Sequence, residues 1–323
     1  MDERLDRRGA IRGGLALGAL SLCGNKAGER LANRKRAWRP TVWVVDAGTG
    51  CVTLLDEDLL VRVEVELPLA RKVVRGPEGL WVLGPDGAWF VSPLGEVRAF
   101  VAGEFVDALP QSGGRVLLLR EAGVLGWSSR ARSTWELELP GARRLAPCGD
   151  RALVAGDGGR LDLLALESRA AVLRTLFVVG EVRSLVPTVR GVWVLSRGAN
   201  GCGLVFLERG ARRGVELRFP GEPRAIAAAP RREDVQVLLG APERLLCVVP
   251  EGGVAQVEED LGLPGARFLV AGRDRLYLAG PGAVVGRELT QRGAGEPLRS
   301  QGGFSRLVDL ALAAGSWPGG RGS

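Results

Sequence analysis

From residue 41 onward the apolar residues come in short bursts, and between the bursts stand Gly, Pro and Asp. The stretch Gly79–Val101, GLWVLGPDGAWFVSPLGEVRAFV, shows the pattern: GLWVL, AWFVS and EVRAFV are cut apart by GPDG and PLG. Both cuts are turn chemistry, because Pro presets φ and Gly supplies backbone conformations closed to other residues. Three antiparallel strands in so little chain form a meander. Apolar residues at a 3.6-residue period are nearly absent after residue 40, so the pattern predicts an all-β body.

The burst GLWVL recurs. TVWVV at 41, GRVLLL at 114, DRALVAG at 150, GVWVLS at 191, DVQVLLG at 234 and DRLYLAG at 274 align on Trp43, Trp81, Val116, Ala152, Trp193, Gln236 and Leu276. A softer run precedes six of the seven: ARKVV at 70, VDALP at 106, ARRLA at 142, VRSLV at 182, PRAIA at 223 and ARFLV at 266. The seventh soft run, SRLVDLALA at 305, has only a Gly/Pro tail after it, while the first burst has no soft run before it. Residues 41–312 hold seven such units of about 39 residues, the length of a propeller blade. The prediction is a seven-bladed β-propeller of four-stranded antiparallel blades, its first blade closed by the C-terminal strand. Closure of that kind removes the open edge between the first and last blades.

Charge divides the chain unevenly. Residues 1–40 carry ten basic and four acidic side chains, so +6 of the net +7 belongs to them and the other 283 residues are nearly balanced. A nucleic-acid partner is therefore not expected of the body. Arg7-Arg8 precedes an uncharged Gly13–Gly24 run that is too short to span a bilayer. The Arg pair and Gly-rich run resemble a twin-arginine export signal, and Cys23 after Leu20-Ser21-Leu22 resembles a lipoprotein site. The alternative is a disordered cytoplasmic tail. The expected organisation is an export-like segment and basic linker over 1–40, the propeller over 41–312 and a flexible tail over 313–323. Contact with a membrane is expected only through a lipid anchor on Cys23.

Glu222–Gly240, EPRAIAAAPRREDVQVLLG, resembles a YVTN or NHL-type repeat, and Val42–Asp56 resembles the second half of a YVTN unit. That resemblance implies a propeller that is often exported or surface-associated and that binds a ligand or protein partner.

The chemistry is sparse. The chain has no His, which removes the usual general base. Its five Cys show no metal-ligand spacing, and Asn200 is the only Asn in the body. No cofactor or metal is expected, and the leading reading is non-enzymatic. A lactonase-like enzyme using carboxylates and a divalent metal stays open, as does a cytoplasmic NHL-type scaffold or nucleic-acid binder. The acidic runs Asp56-Glu57-Asp58 and Glu258-Glu259-Asp260 are the strongest carboxylate candidates, and both are expected as solvated charged turns. AGDGGRLDL at 155 is expected as a hairpin turn. Trp43, Trp81 and Trp193 are expected to wedge between blades.

One constellation emerges only from the repeat alignment. The second residue of the soft run is Arg71, Asp107, Arg143, Arg183, Arg224, Arg267 and Arg306. Seven-fold placement would put these groups in a circle around one mouth of the channel. They would either receive an anionic ligand or acidic partner there, or pair with carboxylates such as Glu181 and Glu222 and staple blades together.

Overall fold

The computed structural model describes residues 40–128, 134–166, 170–208, 216–219, 222–230, 232–240, 242–250, 253–259, 261, 263–290 and 293–312. The chain divides into residues 1–35 and 36–323, and every described residue belongs to the second part. The expectations for Arg7, Arg8, Cys23 and the 313–323 tail lie outside the described residues.

The stretch that shows the pattern most plainly folds as the second blade, with strands Lys72–Arg75, Leu80–Leu83, Gly87–Val91 and Val97–Ala102 in that order from the centre outward. Its registers are simple: Trp81 lies opposite Phe90 and Leu80 opposite Val91. The PLG cut is a tight turn, in which Gly95 N–H bonds to the Ser92 carbonyl at 2.9 Å. The Ser92 hydroxyl accepts the N–H groups of Leu94 and Glu96. Gly95 stands at φ 86°, where a side chain would be strained.

Seven four-stranded antiparallel sheets of this kind follow one another. The innermost strands after Lys72–Arg75 are Asp107–Gln111, Arg144–Cys148, Glu181–Pro187, Pro223–Ala228 and Phe268–Ala271. The seventh is Leu307–Leu312, which pairs with Pro40–Asp46. Each innermost strand packs against that of the next blade, and Phe268–Ala271 and Lys72–Arg75 both pack against Leu307–Leu312. The ring is therefore closed, and blade 1 runs Leu307–Leu312, Pro40–Asp46, Cys51–Asp56 and Val61–Glu66 from the centre outward. AGDGG forms the expected hairpin, with a single 3-10 turn at Asp157–Gly159.

The core lies between blades. Successive side chains of a strand point to opposite faces, so the second strand of each blade feeds two interfaces. Trp43 and Val45 pack with Val73, Val82 and Val91 of blade 2, whereas Val42 and Val44 pack with Tyr277 and Ala279 of blade 7. Trp81 and Leu83 join Val116 and Leu118 of blade 3, and Trp193 joins Val235 and Val237 of blade 6. A strand buried on both faces must read as a continuous apolar run, which is what LWVL and VWVV are. The three Trp residues are 0–4% exposed, in the wedge positions expected of them.

Closure is held by Asp46, a carboxylate only 2% exposed at the end of its strand. It accepts the N–H of Arg306 at 2.6 Å, of Ser305 at 2.8 Å and of Gly48 at 3.0 Å. Burial pushes its pKa up, but the N–H bonds from Ser305, Arg306 and Gly48 outweigh it and leave the group below the usual Asp range.

One carboxylate expectation is corrected. Asp56 is not solvated but 1% exposed. It accepts the N–H groups of Asp58 and Leu60 at 2.9 and 3.0 Å, and Arg62 Nε donates to it at 2.6 Å. It shapes the turn in which Leu59 takes φ 58°, so its charge is spent on the fold.

Candidate functional site

At the end of the ring where the innermost strands begin, a cavity of about 840 Å³ opens along the axis. Seven cationic side chains line it: Arg71, Lys72, Arg144, Arg183, Arg197, Arg224 and Arg267. Glu222 and Asp309 are the acidic lining residues, so the lining carries a formal +5. Below the cations the wall is apolar, with Ile226, Phe268, Leu269 and Leu310.

Backbone register explains the repetition. Arg71, Arg143 and Arg267 each donate their backbone N–H to a carbonyl at the end of the neighbouring strand, that of Leu83, Ala155 and Ala279, at 2.7–2.8 Å, Ala279 being one residue short of its strand's last. In blades 5 and 6 the register shifts at Arg183 and Arg224, a bulge that aims both at the mouth. Of the predicted circle, Arg71, Arg183, Arg224 and Arg267 line the cavity together, and Arg143, Arg306 and Asp107 do not.

The place of Arg71 falls in blade 3 on Val106, whose N–H bonds to Leu119. Asp107 is one step further along and 4% exposed. Its Oδ1 receives Lys72 Nζ of blade 2 at 2.6 Å, and its Oδ2 receives the Leu145 N–H of blade 4 at 2.9 Å. Asp107 thus ties three blades together.

The arginines split between stapling and standing free. Arg143 Nε pairs with Asp157 at 2.6 Å and its Nη1 lies 3.8 Å from Glu181 of blade 5. Arg183 pairs with Glu181 at 3.2 Å. Glu222 takes Arg197, not Arg224, at 2.5 Å across blades 5 and 6. Arg224 pairs with Glu243 at 2.8 Å and also donates to the Ala266 carbonyl of blade 7. The Gly265 N–H and the Arg224 guanidinium together hold Glu243 below the usual carboxylate range. Arg71 lies 4.0 Å from Glu104, with both side chains more than half exposed, so that pair is weak. Among the described residues Arg144, Arg267 and Arg306 have no carboxylate partner, although the Arg144 guanidinium donates to the Arg183 carbonyl of blade 5 at 3.2 Å and to the Arg143 carbonyl at 2.9 Å. Lys72, Arg144 and Arg197 are absent from the predicted circle. The signal for the first two was the doubled base in ARK and ARR, whose second member begins or enters the strand.

Asp309 faces this cavity from the closing strand and accepts the Val73 N–H at 2.8 Å. The residue is half-buried at the cavity wall. Burial raises its pKa to about 6, against the pull of the Val73 N–H and Lys72. A raised carboxyl pKa means that the folded state binds the proton more tightly than the unfolded state. The cost is fully present above pH 6 and is relieved as pH falls toward 4. We expect Asp309→Asn to melt higher than the parent at pH 8, by on the order of 1–3 kcal/mol. The difference should shrink between pH 6 and 4 in paired melting curves, and a gap that does not change with pH would refute the assignment.

Among the described residues no group of three or more His, Cys, Asp or Glu could hold a metal ion. No helix among them is long and apolar enough to cross a membrane.

The ring and its mouth define the class of protein: a seven-bladed β-propeller with a cationic axial cavity. Solved structures agree on the fold. AztD of Citrobacter koseri superposes with a TM-score of 0.67 at 10% identity, covering 87% of this chain and all of AztD. BamB of Moraxella catarrhalis superposes at 0.54 with 14% identity, over 85% of this chain and 90% of BamB. PorZ of Porphyromonas gingivalis superposes at 0.55 with 16% identity, over 76% of this chain and 36% of PorZ. At these identities the likeness concerns the fold alone. No protein-family model and no curated protein sequence matches the chain.

Proposed function

We propose that this protein is a non-enzymatic binding propeller that holds an anionic ligand, or an acidic loop of a partner protein, in its axial mouth. The observation that carries the reading is the +5 lining of the 840 Å³ cavity, with Arg144 and Arg267 lacking a carboxylate partner among the described residues. A concave site with apolar walls and a few convergent charged groups is the usual form of a ligand pocket. Guanidinium groups grip carboxylates and phosphates by two parallel bonds, and a cleft lined by one sign of charge focuses the field. The repeats are of YVTN/NHL type in this reading, and the protein is exported to the cell surface by the Arg7-Arg8 segment. Fractionation of the producing cells tests it: protein confined to the cytoplasm would remove the export part.

The binding test uses citrate, pyrophosphate and a hexaglutamate peptide, titrated calorimetrically at low and moderate salt. Wild type should saturate with at least one of them. Arg71→Gln with Arg267→Gln should weaken that binding at least tenfold and flatten its salt dependence, since each charge-assisted bond contributes about 1.5–3 kcal/mol before screening. The same variant should melt within a few degrees of wild type, because neither arginine holds a strong ion pair. Arg224→Gln, by contrast, should lower the melting temperature by breaking the Glu243 pair. Absence of saturable binding to all three probes would refute the anion-binding reading.

A further inference from the structure

The opposite face of the ring, where the innermost strands end, has a second cavity of about 250 Å³ between blades 2 and 3. Its walls are the rings of Trp81, Phe90 and Trp127, with Pro77 and Pro110 beside them. Trp81 meets Phe90 at a centroid distance of 5.5 Å and meets Trp127 edge-on at 5.6 Å.

The repeat explains why a cavity lies here. Trp193 holds in blade 5 the place that Trp81 holds in blade 2. The Trp193 indole N–H donates to the Glu233 carbonyl of blade 6 at 2.8 Å, and that ring is 0% exposed. Opposite Trp81, blade 3 offers the short loop Ser112-Gly113-Gly114, whose glycines stand at φ 73° and 70° and carry no side chain to fill the gap. Among the described residues the Trp81 and Trp127 indole N–H groups have no acceptor, and neither is sealed from solvent. At the rim, Glu78 and Arg115 have no charged partner among the described residues.

The cavity is therefore lined by aromatic rings, two of them with indole N–H groups that have no acceptor among the described residues, and one charge of each sign without a charged partner among those residues stands at its edge. Its best complement is apolar and ring-shaped, rich in acceptors and poor in donors. A run of prolines has that chemistry: each ring is apolar, each carbonyl accepts, and no backbone N–H is left unpaired on burial. Such a run is already extended as polyproline II, so little ordering entropy is lost on docking against aromatic walls. We propose that this cavity is a docking site for a proline-rich extended segment of a partner protein, separate from the arginine mouth.

The test is a titration of the full chain with a ten-residue polyproline peptide, read by tryptophan fluorescence and by calorimetry. Wild type should saturate below millimolar peptide. Trp127→Ala should abolish the signal. Trp81→Phe keeps a ring but loses the donor, and should weaken binding about five- to tenfold while the melting temperature shows that the variant is folded. Arg71→Gln with Arg267→Gln should bind the peptide as wild type does, whatever becomes of the mouth. Failure to saturate at millimolar peptide would overturn the proposal, as would equal affinity in wild type and Trp127→Ala. Saturation by glucose and not by polyproline would also overturn it and reassign the cavity to a saccharide.

Discussion

A chain ended at Gly302 will not show a cooperative melt near the full-length temperature. The truncation removes Leu307–Leu312, whose residues pair with Val42–Asp46 in register from Leu312 opposite Val42 to Leu307 opposite Asp46. It strips Leu310 and Ala311 from two inter-blade clusters and leaves Asp46 buried without the Ser305 and Arg306 N–H groups. An uncompensated buried carboxylate alone costs about 3–5 kcal/mol, a large share of the 5–15 kcal/mol that holds an ordinary domain together. Blades 1 and 7 would then face one another across a gap. Calorimetry and proteolysis would report the loss, and a truncated chain that melts as one unit at the parent temperature would refute strand closure. Asp46→Ala is the milder version. It should lose about 2–4 kcal/mol, since charge-assisted hydrogen bonds contribute about 1.5–3 kcal/mol each and water can replace part of them.

Asp107→Ala should be the most damaging single change to the inner wall, costing about 3–5 kcal/mol in chemical denaturation. It breaks the Lys72 ion pair and leaves the Leu145 N–H, inside the wall, without this acceptor. Asp107→Asn keeps an acceptor for Leu145 and should recover part of the loss. If Asp107→Ala matched wild type in denaturation midpoint, the residue would not be a blade tie. Anion binding should survive in whatever fraction stays folded, because Asp107 is not part of the cavity lining.

The ring was legible because each blade must bury both faces of its second strand. That demand writes VWVV, LWVL, VWVLS and LYLAG as unbroken apolar runs at nearly even spacing, with turn residues between. The unmatched soft run at 305 was legible for the same reason, as an inner strand without a blade of its own. The mouth was legible in part. Arg71, Arg183, Arg224 and Arg267 follow from the alignment because the inner strand always enters from the same end. Asp107 did not, since VDALP can be laid on ARKVV in two registers that differ by one residue. Only backbone pairing with Leu119 shows that Val106 holds the place of Arg71. Arg197 was invisible because it lies on a second strand, and no spacing in the sequence says that it reaches over the entrance. Asp56 was misjudged because an acidic triplet in a turn looks solvated until Arg62, six residues on, folds back over it.

The pairing of Val42 with Leu312 also bears on synthesis, because 270 residues separate the two partners. A ribosome adds about 5–20 residues each second, so tens of seconds pass between the emergence of one strand and the other. Blades 2 to 7 complete their sheets as their own strands appear. Blade 1 alone has an unfilled edge throughout, with Val42–Val45 offering backbone groups to any strand that comes by. The nascent chain stays open to mispairing at that edge until Leu307–Leu312 emerges, and that strand is the one that locks the ring.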